Sequence, residues 1–222
     1  MNAPTKPPPT IALCGLDGVG KSSLFEALHR HYRASGVAFI GRGPADAEQL
    51  VERSFPRQFT DVRDWQEGEF FEAMSIACAM DYAVYHHAAL APLLDASCVR
   101  LLGRAPRAII TDRHALCFIA YAASGEVPQR TALRLLETIP PPDLVVYVEA
   151  PPVLIAERRR DGKLHEFDHP DVQRSLARGY EWALRRYTGK LLRLENSGTF
   201  AASLSELVAR IDSFLLDHQV EK

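Results

Sequence analysis

The sequence predicts an α/β fold in which a doubly wound, five-stranded parallel sheet is covered by helices on both faces. Three observations predict it. Short apolar runs recur along the 222 residues, separated by stretches of helical periodicity, and strands joined through helices must run parallel. A glycine-rich turn ties the first run to the first helix. Another run ends on Asp112-Arg113, which puts charged side chains at the carboxyl end of a strand, where doubly wound sheets bind their ligands.

The elements follow in order. Residues 1–9 are proline-rich with no apolar centre and read as a flexible tail before a single domain over 10–222. Ile11-Ala12-Leu13-Cys14 reads as a buried strand, and Ser23 to His29 carries apolar residues at helical spacing. Val37-Ala38-Phe39-Ile40 is a second strand, stopped by the breaker cluster Gly41-Arg42-Gly43-Pro44. The polar stretch 45–68, with Arg53, Arg57 and Arg63, predicts short helices and loops. From Glu69 to about Leu102 the pattern is helical and alanine-rich, punctuated near Pro92. Ala108-Ile109-Ile110-Thr111 is a third strand. Pro140-Pro141-Pro142 breaks the chain before Leu144 to Val148, the clearest strand of all. Pro151 and Pro152 open a helix with a basic end, since proline fits a first helical turn. Leu191 to Leu194 is the fifth strand, and a closing helix runs from about Ser203 to Leu216.

A net charge of −2 and a pI near 6.4 provide no overall field for nucleic acid or an anionic membrane, so neither is an expected partner. No run reaches the ~18 apolar residues of a membrane span. The cysteines Cys14, Cys78, Cys98 and Cys117 form no C-x-x-C pair and read as reduced core thiols of a cytoplasmic protein.

Gly15-Leu16-Asp17-Gly18-Val19-Gly20-Lys21-Ser22 fits the phosphate-binding pattern G-x-x-x-x-G-K-[ST], in the strand-to-helix context that pattern requires. Gly15, Gly18 and Gly20 let the backbone bend until N–H groups, those of Val19 and Ser23 included, converge where the helix also attracts anions. Lys21 is expected to reach β- and γ-phosphates, and the Ser22 hydroxyl to ligate Mg²⁺. The spacing excludes the dinucleotide turn G-x-G-x-x-G. Asp112 either holds Mg²⁺ or caps a helix, and Arg113 can fork two hydrogen bonds onto a phosphate. Asp17 repels a triphosphate, so it faces a second substrate or organises Arg113. The run Arg158-Arg159-Arg160-Asp161-Gly162-Lys163 reads as a closing lid, about 157–170, or as a solvated helix end. His165-Glu166-Phe167-Asp168-His169 is a mobile polar loop or, less economically, a metal site. His86 or His87 lines the substrate cleft or ligates a metal. Trp65, Trp182, Phe70 and Phe71 read as core.

These pieces, in this order, resemble the thymidylate kinases over most of the chain. Gly15 to Ser22 is similar to their phosphate loop, with the acid at Asp17 included. Asp112-Arg113-His114-Ala115-Leu116-Cys117-Phe118-Ile119-Ala120-Tyr121 resembles their D-R-Y-x-x-S-x-x-A-Y-Q signature, and Pro142-Asp143-Leu144 through Arg158 and Gly162 to Asp168 resemble their strand, helix and lid. The resemblance implies a P-loop kinase fold, Mg·ATP as donor, a small-molecule phosphoryl acceptor and a homodimer. It also implies that Asp17 approaches the acceptor's sugar and that Arg113 holds phosphoryl oxygens. Because Val19 and its neighbours offer no arginine, the lid must supply one, with Arg158 or Arg160 first in line. Arg42, His86, Cys117 and Tyr121 join Asp17 and Arg113 on the expected acceptor side. There the chain departs from the family. Gly41-Arg42-Gly43-Pro44 only echoes T-R-E-P-G-G, the D-R pair of the long helix appears as Tyr85-His86 or is absent, Cys117 replaces a serine and Ala122 a glutamine. The implied activity is transfer of the γ-phosphoryl group of ATP to a nucleoside monophosphate such as dTMP. The alternatives are a specialised kinase of a nucleoside or another hydroxyl acceptor, and a nucleotide-binding protein without catalysis.

Overall fold

The structure, a computed structural model, describes residues 7–43, 46–47, 49–50, 69–95, 106–125, 129–158 and 170–220. Its strands are β1 (Thr10–Cys14), β2 (Val37–Ile40), β3 (Ala108–Asp112), β4 (Leu144–Glu149) and β5 (Lys190–Glu195). They form one parallel sheet in the order β2-β3-β1-β4-β5. The helices are α1 (Lys21–His31), α2 (Glu69–Tyr85), α3 (Ala91–Leu94), α4 (Ala115–Ala122), α5 (Arg130–Leu136), α6 (Pro152–Arg158), α7 (Pro170–Leu184) and α8 (Phe200–Val220).

The alternation of side chains along each strand divides the core in two. Ile11 and Leu13 of β1, with Leu144, Val146 and Val148 of β4, pack against α1 and α8 through Leu24, Leu28, Leu207 and Ile211. Ala12 and Cys14, with Val145 and Tyr147, face α2, α4, α5 and α7 through Phe71, Met74, Phe118, Leu136 and Leu176. The central strand β1 is fully buried, which is why its sequence reads as a continuous apolar run without alternation. The result is the three-layer sandwich expected from the sequence, consistent with a P-loop kinase fold. Among the described residues no helix is long and apolar enough to cross a membrane.

All five strands form where the sequence placed them, each within a residue or two at its ends. The helices differ more. The stretch read as helical from Glu69 becomes α2, a π-helical turn at His86–Leu90 and the short α3, with Pro92 in the first turn of α3; residues 96–105 lie outside the described set. The closing helix is longer at both ends than its apolar spacing suggested. Helices α4, α5 and α7 were not assigned from sequence. Residues 115–122 of α4 are apolar all round because the helix is buried, so no polar face reveals its period. α7 packs directly on α4 at Gly179, where an added Cβ would lie 2.0 Å from the Ala120 carbonyl oxygen.

Candidate active site

The carboxyl ends of β1, β3, β4 and β5 converge on a cleft of about 540 Å³, with α1 starting at its floor. Gly15, Gly18 and Gly20 all have positive φ (140°, 85° and 97°), a conformation that costs other residues about 1 kcal/mol or more. Three carbonyls of the loop are held. The Tyr180 hydroxyl donates to Gly15 O at 3.0 Å, Lys21 Nζ donates to Leu16 O at 2.6 Å, and Asn196 Nδ2 donates to Val19 O at 2.8 Å. In a trans peptide the C=O and the next N–H point opposite ways. Fixing the Val19 carbonyl therefore fixes the Gly20 N–H in the opposite direction, and Gly18, Gly20, Lys21, Ser22 and Ser23 line the cleft, a glycine-rich bend of the kind that suits phosphate oxygens.

Lys21 opens α1 and is 5 % exposed. Its ammonium lies 3.5 Å from Asp17 Oδ1, and Arg113 Nη2 donates to the same oxygen at 2.5 Å. Burial and the neighbouring Arg113 push the Lys21 proton off more readily than usual, against the pull of Asp17. Burial opposes the Arg113 charge most strongly, but the Asp17 carboxylate, joined by Tyr180 and Cys117, raises its pKa on balance. Asp17 thus organises Arg113, as one of the two sequence readings expected. Arg113 itself has φ 75°, strain of about 1–3 kcal/mol of the kind found where the surroundings over-determine a side chain's aim.

Asp112 closes β3, and the residue that caps α4 is His114, so the helix-cap reading of Asp112 does not hold. Its Oδ1 is buried without a hydrogen-bond partner. An orphaned, buried carboxylate oxygen at the carboxyl end of β3 has the chemistry of a ligand to a hard cation that takes oxygen donors. The described residues hold no cluster of three or more His, Cys, Asp or Glu that would by itself bind a metal.

Of the basic run, Arg158 is described, at the end of α6 on the rim of the cleft. Arg160, with Arg159 and the rest of the expected lid to His169, lies outside the described residues, as do Pro44, Arg53, Arg57, Arg63, Trp65 and Cys98. Arg42 is exposed beyond β2. The Tyr85 hydroxyl bonds the Gly41 carbonyl and its ring packs on Gly43, holding that loop against α2. His86 is 4 % exposed, with both ring nitrogens unpartnered, and sits in the π-helical turn, a distortion common at functional sites. Next to it His114 is driven down to about 3 by burial and then by His86. Cys117 is buried, and its thiol beside Cys14, together with burial, raises the Cys14 thiol. Tyr121 is buried against Phe71, ring centroids 5.5 Å apart. Among the described residues, then, Asp17, Gly18, Gly20, Lys21, Ser22, Ser23, Arg113 and Arg158 line the cleft, whereas Gly15, Val19, Arg42, His86, Asp112, Cys117 and Tyr121 do not. Phe70 and Phe71 are core as expected, and Trp182 is half-buried under the Arg186 guanidinium.

Sequence reasoning missed Asn196, Phe200 and Tyr180. Asn196 directly follows β5, so the rule that ligands gather beyond strand ends could have found it. Tyr180 carries no local signal, because only the packing of α7 brings its hydroxyl to Gly15.

The chain matches no family model. It is similar to a protein of Caldivirga maquilingensis described as a probable thymidylate kinase, with 24% identity over 171 residues, covering 75% of this chain and 76% of that protein.

Proposed function

We propose that this distant relative of a probable thymidylate kinase is an ATP-dependent phosphotransferase, acting on a nucleoside monophosphate such as dTMP. The observation that carries the reading is the single cleft in which a donor-lined phosphate loop, the buried Lys21 and the Asp17–Arg113 pair meet. Phosphoryl transfer needs little covalent help from a protein; positioning and charge neutralisation do the work. The amides of Gly18 to Ser23 and Lys21 cradle the β- and γ-phosphates. Ser22 and Asp112 are the residues that would hold Mg²⁺, which when bound offsets charge between the β- and γ-oxygens. Asp17 keeps Arg113 extended, ready to fork onto the acceptor's oxygens. A cation from the lid, Arg158 or Arg160, neutralises the transferring group. A homodimer belongs to the same reading, and the exposed Met80 and Val84, one turn apart on α2, are apolar surface a second copy would cover.

A second reading, a specialised kinase of another hydroxyl acceptor, is favoured by Cys117. A buried thiol beside Cys14 gives an acceptor base no hydroxyl to bond. The test is ADP release with Mg·ATP and a panel of dTMP, dUMP, dCMP and non-nucleotide alcohols. Turnover of dTMP above the others supports the first reading. Faster turnover of an acceptor lacking a phosphate decides for the second, and nucleotide binding without turnover of any acceptor rejects the enzyme.

A further inference from the structure

Arg158 is held at the side of the phosphate loop by two backbone oxygens. Its Nη1 donates to Val19 O at 3.2 Å and its Nη2 to Asn196 O at 2.8 Å. The Asn196 side chain converges on the same Val19 oxygen at 2.8 Å. Asn196 is in turn fixed to the sheet, since its backbone N–H donates to Glu149 O of β4 at 2.7 Å. The orientation of the amide follows from its partner, because the reversed amide would set oxygen against oxygen. Asn196 is 3 % exposed, so the arrangement is packed and not merely surface decoration. It also lies flush on Gly20, where an added Cβ would come 2.6 Å from Asn196 Nδ2 and 3.9 Å from Arg158 Nη1.

From this geometry we infer that Arg158 and Asn196 form a strap on the Val19 carbonyl that aims the Gly20 N–H at the donor phosphates. The inference rests on the phosphotransferase reading and sharpens it: Arg158 is a positioning residue, and the cation on the transferring group comes from elsewhere. The physical reason is the planarity of the Val19–Gly20 peptide. Two donors that fix the direction of its oxygen fix the opposite direction of its N–H, and a pre-aimed donor loses less on binding than one that must be ordered by the ligand. An arginine delivering charge to the transferring phosphoryl would have to abandon both carbonyls, leaving the loop less ordered at the moment of reaction.

The test uses Arg158→Ala and Asn196→Asp in the full chain, the second being isosteric but lacking the donor. Amide hydrogen exchange over residues 15–22 without nucleotide should accelerate about tenfold in each variant, as expected for losing one or two hydrogen bonds. The KM for Mg·ATP should rise about tenfold while kcat stays within about threefold, a loss of binding and not of transition-state stabilisation. A kcat lower by ~10³ with KM unchanged would make Arg158 the transferring-group cation and overturn the inference. Unchanged exchange over the loop in both variants would overturn it too. Should Arg158→Ala fail to fold, Asn196→Asp gives the same readouts. Failure of the wild type to bind Mg·ATP would remove the phosphotransferase reading, while the exchange measurement would still judge the strap.

Discussion

Lys21→Met separates what the ammonium does for the fold from what it does for a nucleotide. Lys21 is 5 % exposed, donates to Leu16 O at 2.6 Å, and stands beside Asp17 at 3.5 Å. Losing the charge-assisted bond to Leu16 costs about 1.5–3 kcal/mol. Relief of a buried charge returns an amount of similar size, so the unliganded variant should melt within a few degrees of the wild type. The nucleotide response should differ sharply. At a ligand concentration of ~100 Kd, binding stabilises the wild type by about 2.7 kcal/mol. For a chain of 222 residues each kcal/mol moves the midpoint about 2–4 °C, so the shift is roughly 5–10 °C. If the variant binds ~100-fold more weakly, the same ligand concentration equals its Kd and the stabilisation falls to about 0.4 kcal/mol, or roughly 1 °C. Thermal unfolding with and without a non-hydrolysable Mg·ATP analogue reads this directly. A variant that kept the wild-type shift would refute the assignment of Lys21 to the phosphates.

Gly179→Ala opposes two principles. Helix propensity alone favours alanine by about 1 kcal/mol, but a Cβ at Gly179 would sit 2.0 Å from the Ala120 carbonyl oxygen and 3.1 Å from Ser124 Cβ. We expect α7 to be forced off α4 with a net loss of about 2 kcal/mol in denaturant unfolding; a variant as stable as the wild type would show that the helices separate freely. His114 ties stability to pH. Burial, and then His86, holds its folded pKa at about 3 against an ordinary 6.5, so the unfolded chain takes up the proton first as pH falls. Its contribution is full above pH 6.5 and declines from there towards 3, by about 2 kcal/mol between pH 8 and 5. His114→Leu should flatten the pH dependence of unfolding by that amount, and parallel curves for variant and wild type would contradict it.

How much of the site was legible depends on how local its causes are. The loop from Gly15 to Ser22 announces itself because three backbone kinks and two side chains must follow one another in a fixed order. Asp112 and Arg113 were found for a related reason: they end an apolar run, and charge at that place is not explained by burial. The acceptor side was far less readable. Cys117 and Tyr121 match the positions of a motif, yet α4 is buried on nearly all sides, so motif position alone does not say which side chains face the cleft and which face the core. The π-helical turn at His86–Leu90 likewise shifts the face that α2 presents, which spacing read at 3.6 residues per turn does not reveal.

By itself the order of residues determined the strands, their parallel sense and the glycine-rich turn between β1 and α1, since hydrophobic period, glycine placement and chain connectivity act over neighbouring positions. Only the tertiary structure decided that Asp17 is paired with Arg113 across 96 positions of chain, that Tyr180 and Asn196 hold the loop from opposite sides, and that Cys117 turns to Cys14. Those contacts depend on which helix packs on which face of the sheet, and that is settled by the summed fit of side chains far apart in sequence, not by any short run of them.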